Sequence, residues 1–218
     1  PEQLVFVDET SKDGRSVSRK YGWSRRGTKC IVNVPFSRGK RVSCLAALDV
    51  TGFIAAGFTE ETFDRHLFHS AFRKEILPLL NPYPWPRSIV VIDNARIHMY
   101  EELAQMVEGV GAALIYLPPY SPHLNPIETG FSLLKRWIQR HAYQVYAVWP
   151  EAVMRVALRM CTSPENVGRA SFAHSGYLSN GGFRLPGYGR VHEQNDNLNE
   201  SAEASDSEGS VDEANDNF

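Results

Sequence analysis

The sequence predicts an α/β fold: a mixed sheet with helices on its faces. Three observations carry this. Apolar runs of strand length come first and then alternate with amphipathic stretches of helical period. Two of the runs, Leu4-Val5-Phe6-Val7 and Ser88-Ile89-Val90-Val91-Ile92, are apolar on both faces, as strands covered on two sides must be. Two other runs, Arg41 to Leu48 and Phe53 to Phe58, are joined by the hairpin turn Asp49-Val50-Thr51-Gly52.

Taken in order, the first strand ends at Val7 and delivers Asp8-Glu9 at its exit. Thr10 to Lys29 then reads as a polar loop with seven basic residues, Lys12, Arg15, Arg19, Lys20, Arg25, Arg26 and Lys29, interleaved with Tyr21 and Trp23. Cys30 to Val34 is a candidate extra strand. After the hairpin, Glu61 to Leu77 has helical periodicity in Phe63, Leu67, Phe68, Ala71, Phe72 and Ile76, and Pro78 closes it. A Pro-rich linker, Asn81 to Pro86, leads into the strand at Ser88–Ile92, which ends in Asp93. Met99 to Glu108 is a helix and Ala113 to Leu117 a further strand. Pro150 to Met160 is amphipathic, and Ser163-Pro164 starts one more short helix.

Tyr120 to Glu128 is a rigid loop that opens a helix. Pro122 and Pro126 fix φ and remove two backbone donors. Asn125 stands at the N-cap and Pro126 at the first helical position, so Glu128 falls in the first turn, ahead of the apolar stripe Phe131, Leu134 and Ile138. One reading makes Glu128 the partner of Asn125 in a capping box. The other makes it an acid of a site.

Charge is unevenly spread along the 218 residues. From Val191 onward there are nine acidic residues and no Lys or Arg, so under an overall charge of −2 the body carries +7. A basic body suggests an acidic partner such as nucleic acid. Residues 191–218 read as an acidic disordered tail, 179–190 as a Gly-rich linker, and 1–178 as the folded domain. Three cysteines without CxxC spacing speak for a reducing compartment and against zinc. No apolar run reaches membrane-spanning length, so a membrane partner is not expected. The start at Pro1 reads as the edge of a fragment or of a processed frame. The expected location is the nucleus in a eukaryote, the cytoplasm otherwise, and not outside the cell.

Two strands share one grammar, an apolar run and then an aspartate. As parallel neighbours they would set Asp8 and Asp93 side by side, about 4.8 Å apart, at the strand ends where α/β sheets gather ligands. Two carboxylates so close repel unless a cation joins them. Glu128 can reach the same edge. An all-oxygen set favours Mg²⁺ or Mn²⁺ over zinc. For each acid alone, a plain capping role remains open. His66 and His69 read as an exposed helix face, while His98 and His123, beside the acids in sequence, are candidates to orient phosphate or water.

Val7-Asp8-Glu9-Thr10, Tyr21-Gly22-Trp23-Ser24, Asp93-Asn94-Ala95-Arg96-Ile97-His98 and Leu117 to Glu128 resemble the DDE catalytic domain of mariner-superfamily transposases, with 34 residues between Asp93 and Glu128. The resemblance implies a ribonuclease-H-like mixed five-stranded sheet flanked by helices. It implies Asp8, Asp93 and Glu128 as catalytic residues and metal ligands, two Mg²⁺ or Mn²⁺ ions, and cleavage of DNA at a transposon end followed by joining to target DNA. The partners expected are those two DNAs and a possible homodimer. The family's N-terminal helix-turn-helix region has no counterpart here, and the acidic tail is outside its pattern. An inactive or co-opted relic that binds nucleic acid without cutting it is the alternative, and a nuclease of RNA–DNA hybrids a third.

The candidate DNA contacts are Arg19, Lys20, Trp23, Arg25, Arg26 and Lys29 in the basic loop, Arg96, His98 and His123 beside the acids, and Lys135 and Arg136 two turns beyond Glu128. Trp23 is either a base-stacking residue or a core anchor, and the basic residues either grip phosphate or are solvated surface charge.

Overall fold

The computed structural model describes residues 1–14, 16–18, 21–31, 39–162 and 167–178. The elements are β1 (Leu4–Lys12), β2 (Val42–Asp49), β3 (Gly52–Thr59), α1 (Arg65–Ala71), β4 (Ile89–Ile92), α2 (Glu101–Gly109), β5 (Ala113–Tyr116), α3 (Pro126–His141), α4 (Tyr143–Tyr146), α5 (Pro150–Thr162) and α6 (Val167–His174). The five strands form one mixed sheet in the order β3-β2-β1-β4-β5. The hairpin gives the antiparallel half, β1 with β2 and β2 with β3. Helical crossovers give the parallel half, β1 with β4 and β4 with β5.

The alternation of side chains splits the interior into two cores. Phe6, Cys44, Ala46, Leu48 and Val91 face α3, α5 and α6, meeting Ile127, Phe131, Leu134, Met154 and Phe172. Val5, Val7, Leu45, Ala47, Val90 and Ile92 face α1 and α2, meeting Phe68, Phe72, Leu103 and Val107. Helices therefore cover both faces of the sheet, and Asp8 and Glu9, being consecutive, point to opposite sides.

Two elements differ from the sequence expectation. β1 does not end at Val7. Its pairing with β4 stops at Val7–Ile92, but β2 continues to pair with it through Lys12–Val42. Asp8 thus marks the strand exit only on the β4 side, and the basic loop begins at Asp13 rather than Thr10. The helix expected from Glu61 begins at Arg65, because Asp64 caps it by accepting from the Leu67 N–H at 2.8 Å. It then passes through a π turn, Phe72–Ile76, and a 3-10 turn, Leu77–Leu79, where Pro78 removes a donor.

Cys30 and Ile31 are not in a strand. The rest of that candidate strand, Ser163-Pro164, the linker 179–190 and the tail 191–218 lie outside the described residues.

α3 crosses its face of the sheet at close range, and Gly130 is what permits it. A Cβ there would come within 2.7 Å of the Phe53 ring and 3.3 Å of Leu48. This contact, one half-turn from Glu128, sets the depth at which that glutamate enters the site.

Candidate active site

The register Val7–Ile92 between parallel strands sets the next residues, Asp8 and Asp93, beside each other. Both line a cleft of about 410 Å³ together with Glu128 and Asn125. Residues 117–122, the proline-rich approach to α3, form part of its wall. Two prolines in a row and a positive φ of 56° at Tyr120 hold that approach in an irregular path. The sequence grammar of strand-then-acid and the helix-opening loop have therefore placed the three acids on one cavity. Among the described residues, no three His, Cys, Asp or Glu side chains stand close enough together to hold a single ion.

Asp8 is buried, 8% exposed. Its Oδ1 accepts from the Glu9 N–H at 2.7 Å, and its Oδ2 accepts from Asn125 Nδ2 at 2.9 Å. Burial pushes its pKa up to about 8, and the charges of Glu9, Asp93 and Glu128 push the same way. Asn125 has the backbone of an N-cap, but its side chain makes no cap bond. The amide is spent on Asp8 instead, and its Oδ1 is buried without a partner. The capping box does not form either: the Asn125 N–H donates to the Pro122 carbonyl at 3.0 Å. Glu128 lies exposed in the first turn of α3.

Asp93 is held differently. Its Oδ1 accepts from the Ala95 N–H at 3.0 Å and from His98 Nδ1 at 2.6 Å. The His98 hydrogen bond draws its pKa down against a partial burial that would raise it, with the Ala95 N–H and the His98 charge adding to the fall. The other nitrogen of His98, Nε2, meets Glu9 Oε1 at 2.8 Å. Carboxylates only accept, so both ring nitrogens donate. Burial alone would depress the imidazole; the two carboxylates outweigh it and carry its pKa up to about 9. The ring packs against Phe68, with centroids 4.6 Å apart.

His98 was a candidate DNA contact, and the structure corrects this. It is fully buried, with both nitrogens engaged by protein carboxylates. Trp23 is fully exposed, so it is no core anchor. Arg25, Arg26 and Lys29 are exposed on the same loop, and none of them lines the cleft. That loop is tied to α3 by Gln139, whose Nε2 donates to the carbonyls of Ser16 and Ser18, each at 3.4 Å. Arg96, His123 and Arg136 are exposed and Lys135 is half-buried. Arg19 and Lys20 lie outside the described residues.

Two groups escaped the candidate set. Lys12 shares the Asp8 face of β1. Burial, and then the nearby Lys135 charge, pull its pKa down, while Glu128 pulls it up, so the three groups stand within electrostatic reach. Reading β1 through to Lys12 would have revealed it by strand alternation. Glu9 is the other, and only its position next to Asp8 hinted at it.

A five-stranded mixed sheet in this order, helices on both faces and acids gathered beyond two adjacent parallel strands, defines the ribonuclease-H-like class of folds. Residues 3–145, more than half of the chain, match the family described as DDE superfamily endonuclease, and the chain belongs to that family.

Solved structures similar to it include the Mos1 transposase paired-end complex with left transposon end, at 18% identity and TM-score 0.47, covering 80% of this chain and 56% of that one. The catalytic core domain of BIV integrase matches at 14% identity and TM-score 0.48, covering 82% and 100%. The catalytic domain of Mos1 mariner transposase matches at 14% and 0.42, covering 81% and 84%. This chain thus spans a little over half of the Mos1 chain in the paired-end complex. No curated protein matches it.

Proposed function

We propose that this chain is the catalytic domain of a mariner-type transposase, which cleaves a DNA phosphodiester at an element end and joins the freed 3′-hydroxyl to target DNA. The observation that carries it is the meeting of Asp8, Asp93 and Glu128 on one cleft, in a chain of the DDE endonuclease family.

The residues present fit a divalent metal. The donors are all carboxylate oxygens, the preference of Mg²⁺ and Mn²⁺. Asp8 stands crowded by three neighbouring acids, and that charge asks for a cation. Asp8, Asp93 and Glu128 would supply the ligands once their side chains close in, since as placed the three do not converge on one point. Bound there, divalent ions supply activation of the attacking oxygen and charge stabilisation of the leaving one. The chain's own part is to orient. Asn125 and the Glu9 N–H fix Asp8, while His98 and the Ala95 N–H fix Asp93. Lys12 and Lys135, beside Glu128, offer positive charge to the phosphates of the bound strand. The exposed Trp23, Arg25, Arg26 and Lys29 extend the contact along DNA.

The test is nicking of supercoiled DNA by the purified chain with Mg²⁺ or Mn²⁺. Asp93→Ala is expected to abolish it, and cleavage that survives the change overturns the mechanism. A second reading, a domain that grips nucleic acid without cutting it, draws on the spacing of the acids, which do not close on a single point. Salt-sensitive DNA binding without metal-dependent cleavage would select it. In either case the expected working location is where the DNA is, the nucleus if the cell is eukaryotic and the cytoplasm otherwise.

A further inference from the structure

We infer that Glu9 is a positioning residue of the site, acting through His98 to fix the orientation of the Asp93 carboxylate. The inference rests on the proposed metal-binding role of Asp93. Glu9 does not line the cleft. It leaves β1 on the opposite face from Asp8, toward α1 and α2, and its side chain is 18% exposed. There it meets His98, whose side chain is 1% exposed, at 2.8 Å. His98 in turn meets Asp93 at 2.6 Å. One group from within β1 and two from the segment that follows β4 thus form one rod: carboxylate, imidazole, carboxylate.

Each end of the rod has a purpose the geometry makes plain. Asp93 follows the last residue of β4, in a segment of turns rather than strand, so the sheet alone does not restrain its side chain. His98 Nδ1 and the Ala95 N–H both bind the same oxygen, Oδ1. No described hydrogen bond engages Oδ2, which stays available to a ligand in the cleft. His98 itself is fixed in its ring plane by Phe68 on one side and by Glu9 at its far nitrogen. The Tyr116 hydroxyl donates to the His98 carbonyl at 3.0 Å, which anchors the backbone but leaves ring rotation free. Apart from the bond to Asp93 itself, the described bond that stops that rotation is the one to Glu9. A ligating carboxylate held by a partner that is itself held is the arrangement by which outer residues tune metal affinity.

The experiment measures Mn²⁺ binding to the full chain by electron paramagnetic resonance, beside kcat and KM for DNA nicking. Glu9→Ala is expected to weaken Mn²⁺ binding by about 10- to 100-fold, and to lower kcat with KM for DNA unchanged. Glu9→Gln keeps an acceptor at the same reach and is expected to restore binding to within about threefold of the unaltered chain. Glu9→Ala added to His98→Gln should weaken binding no further than His98→Gln alone, because residues acting in series do not add. Should Glu9→Ala fail to fold, Glu9→Asp, too short to reach Nε2, supplies the loss.

Unchanged Mn²⁺ affinity in the folded Ala or Asp variant overturns the inference, as does full additivity of the double variant. Mn²⁺ binding that needs Asp93 but ignores Glu9 and His98 removes only the positioning role. Binding no tighter in the unaltered chain than in Asp93→Ala removes the proposed metal site, and the inference with it.

Discussion

Asp8 and Asp93 stand side by side beyond neighbouring parallel strands, yet their surroundings pull them in opposite directions. Asp8 is buried among other acids, with an uncharged amide and one backbone N–H as donors, and its pKa is driven up to about 8. Asp93 is half-exposed and bonded to an imidazole whose pKa is raised to about 9, and its own pKa is drawn down. The difference teaches that a pair of like acids can be divided into one that already has its counter-charge and one that lacks it. The first is a fixed anion; the second is the group on which a cation would have most effect.

The strongest way to break this comparison is to neutralise each acid in turn. Asp8→Asn and Asp93→Asn should each cost nicking activity by a factor of roughly 10³ or more if both ligate the ions. Stability should separate them. Asp8→Asn removes a buried charge among acids and is expected to raise the melting temperature of the metal-free chain at pH 8. Asp93→Asn leaves His98 with one carboxylate fewer and is expected to destabilise by about 1–2 kcal/mol, as for loss of a charged hydrogen bond in a half-exposed setting. Equal shifts by calorimetry would erase the distinction.

Asn125→Asp sharpens the Asp8 side. At an ordinary N-cap, Asn and Asp are nearly equivalent. Here the new carboxylate would face Asp8 across the present 2.9 Å contact. A loss of about 1–3 kcal/mol is expected at pH 9, where Asp8 is ionised, relieved on acidification, and measured by urea unfolding at pH 9 and pH 6. No loss at pH 9 would mean that the Asn125 amide contributes nothing to holding Asp8.

pH gives a further separation. Asp8 has a folded pKa of about 8 against an ordinary 3.8. The unfolded chain releases that proton first, so stability falls as pH rises from about 4 to about 8. His98 has a folded pKa of about 9 against 6.5. Its contribution is full below about 6.5 and is lost as pH rises through about 9. Both signs agree, so the metal-free melting temperature should decline from pH 5 to pH 9. Asp8→Asn should flatten the lower part of that decline and leave the upper part.

The third acid is reached indirectly, through the packing of α3. Gly130→Ala drives a methyl group toward the Phe53 ring and is expected to cost about 1–3 kcal/mol by overpacking. The displaced α3 should reduce nicking through Glu128 and through the Asn125 hold on Asp8, leaving Asp93 untouched.

Much of this architecture was legible in the sequence. The apolar runs, the hairpin turn and the Asn125-Pro126 helix start each carry a local signal, and strand-then-acid twice over placed Asp8 and Asp93. What escaped was decided at a distance. An Asn before Pro looks the same whether its amide caps the helix or reaches Asp8, 117 residues away in sequence. Glu9 and His98 are 89 residues apart, and no periodicity joins them. β1 looked short because its polar second half is satisfied by β2, a partner that the run itself does not reveal. For Trp23 the sequence leaves anchor and base-stacking residue both open, because large aromatics usually bury, yet this one stands fully exposed on a loop.

The division of the interior into two cores bears on how the site is addressed at all. A slip of β1 by one residue would break the site: it would set Glu9 in the cleft with Thr10 toward His98, or Asp8 toward His98 with Val7 in the cleft. Two adjacent acids by themselves carry little memory of which one belongs in the cleft. That memory lies in Phe6, whose ring meets Phe172 at 5.3 Å and Tyr177 at 5.0 Å on the α6 side, while the smaller Val5 and Val7 fit the other face. An apolar ring two residues upstream decides which acid enters the cleft.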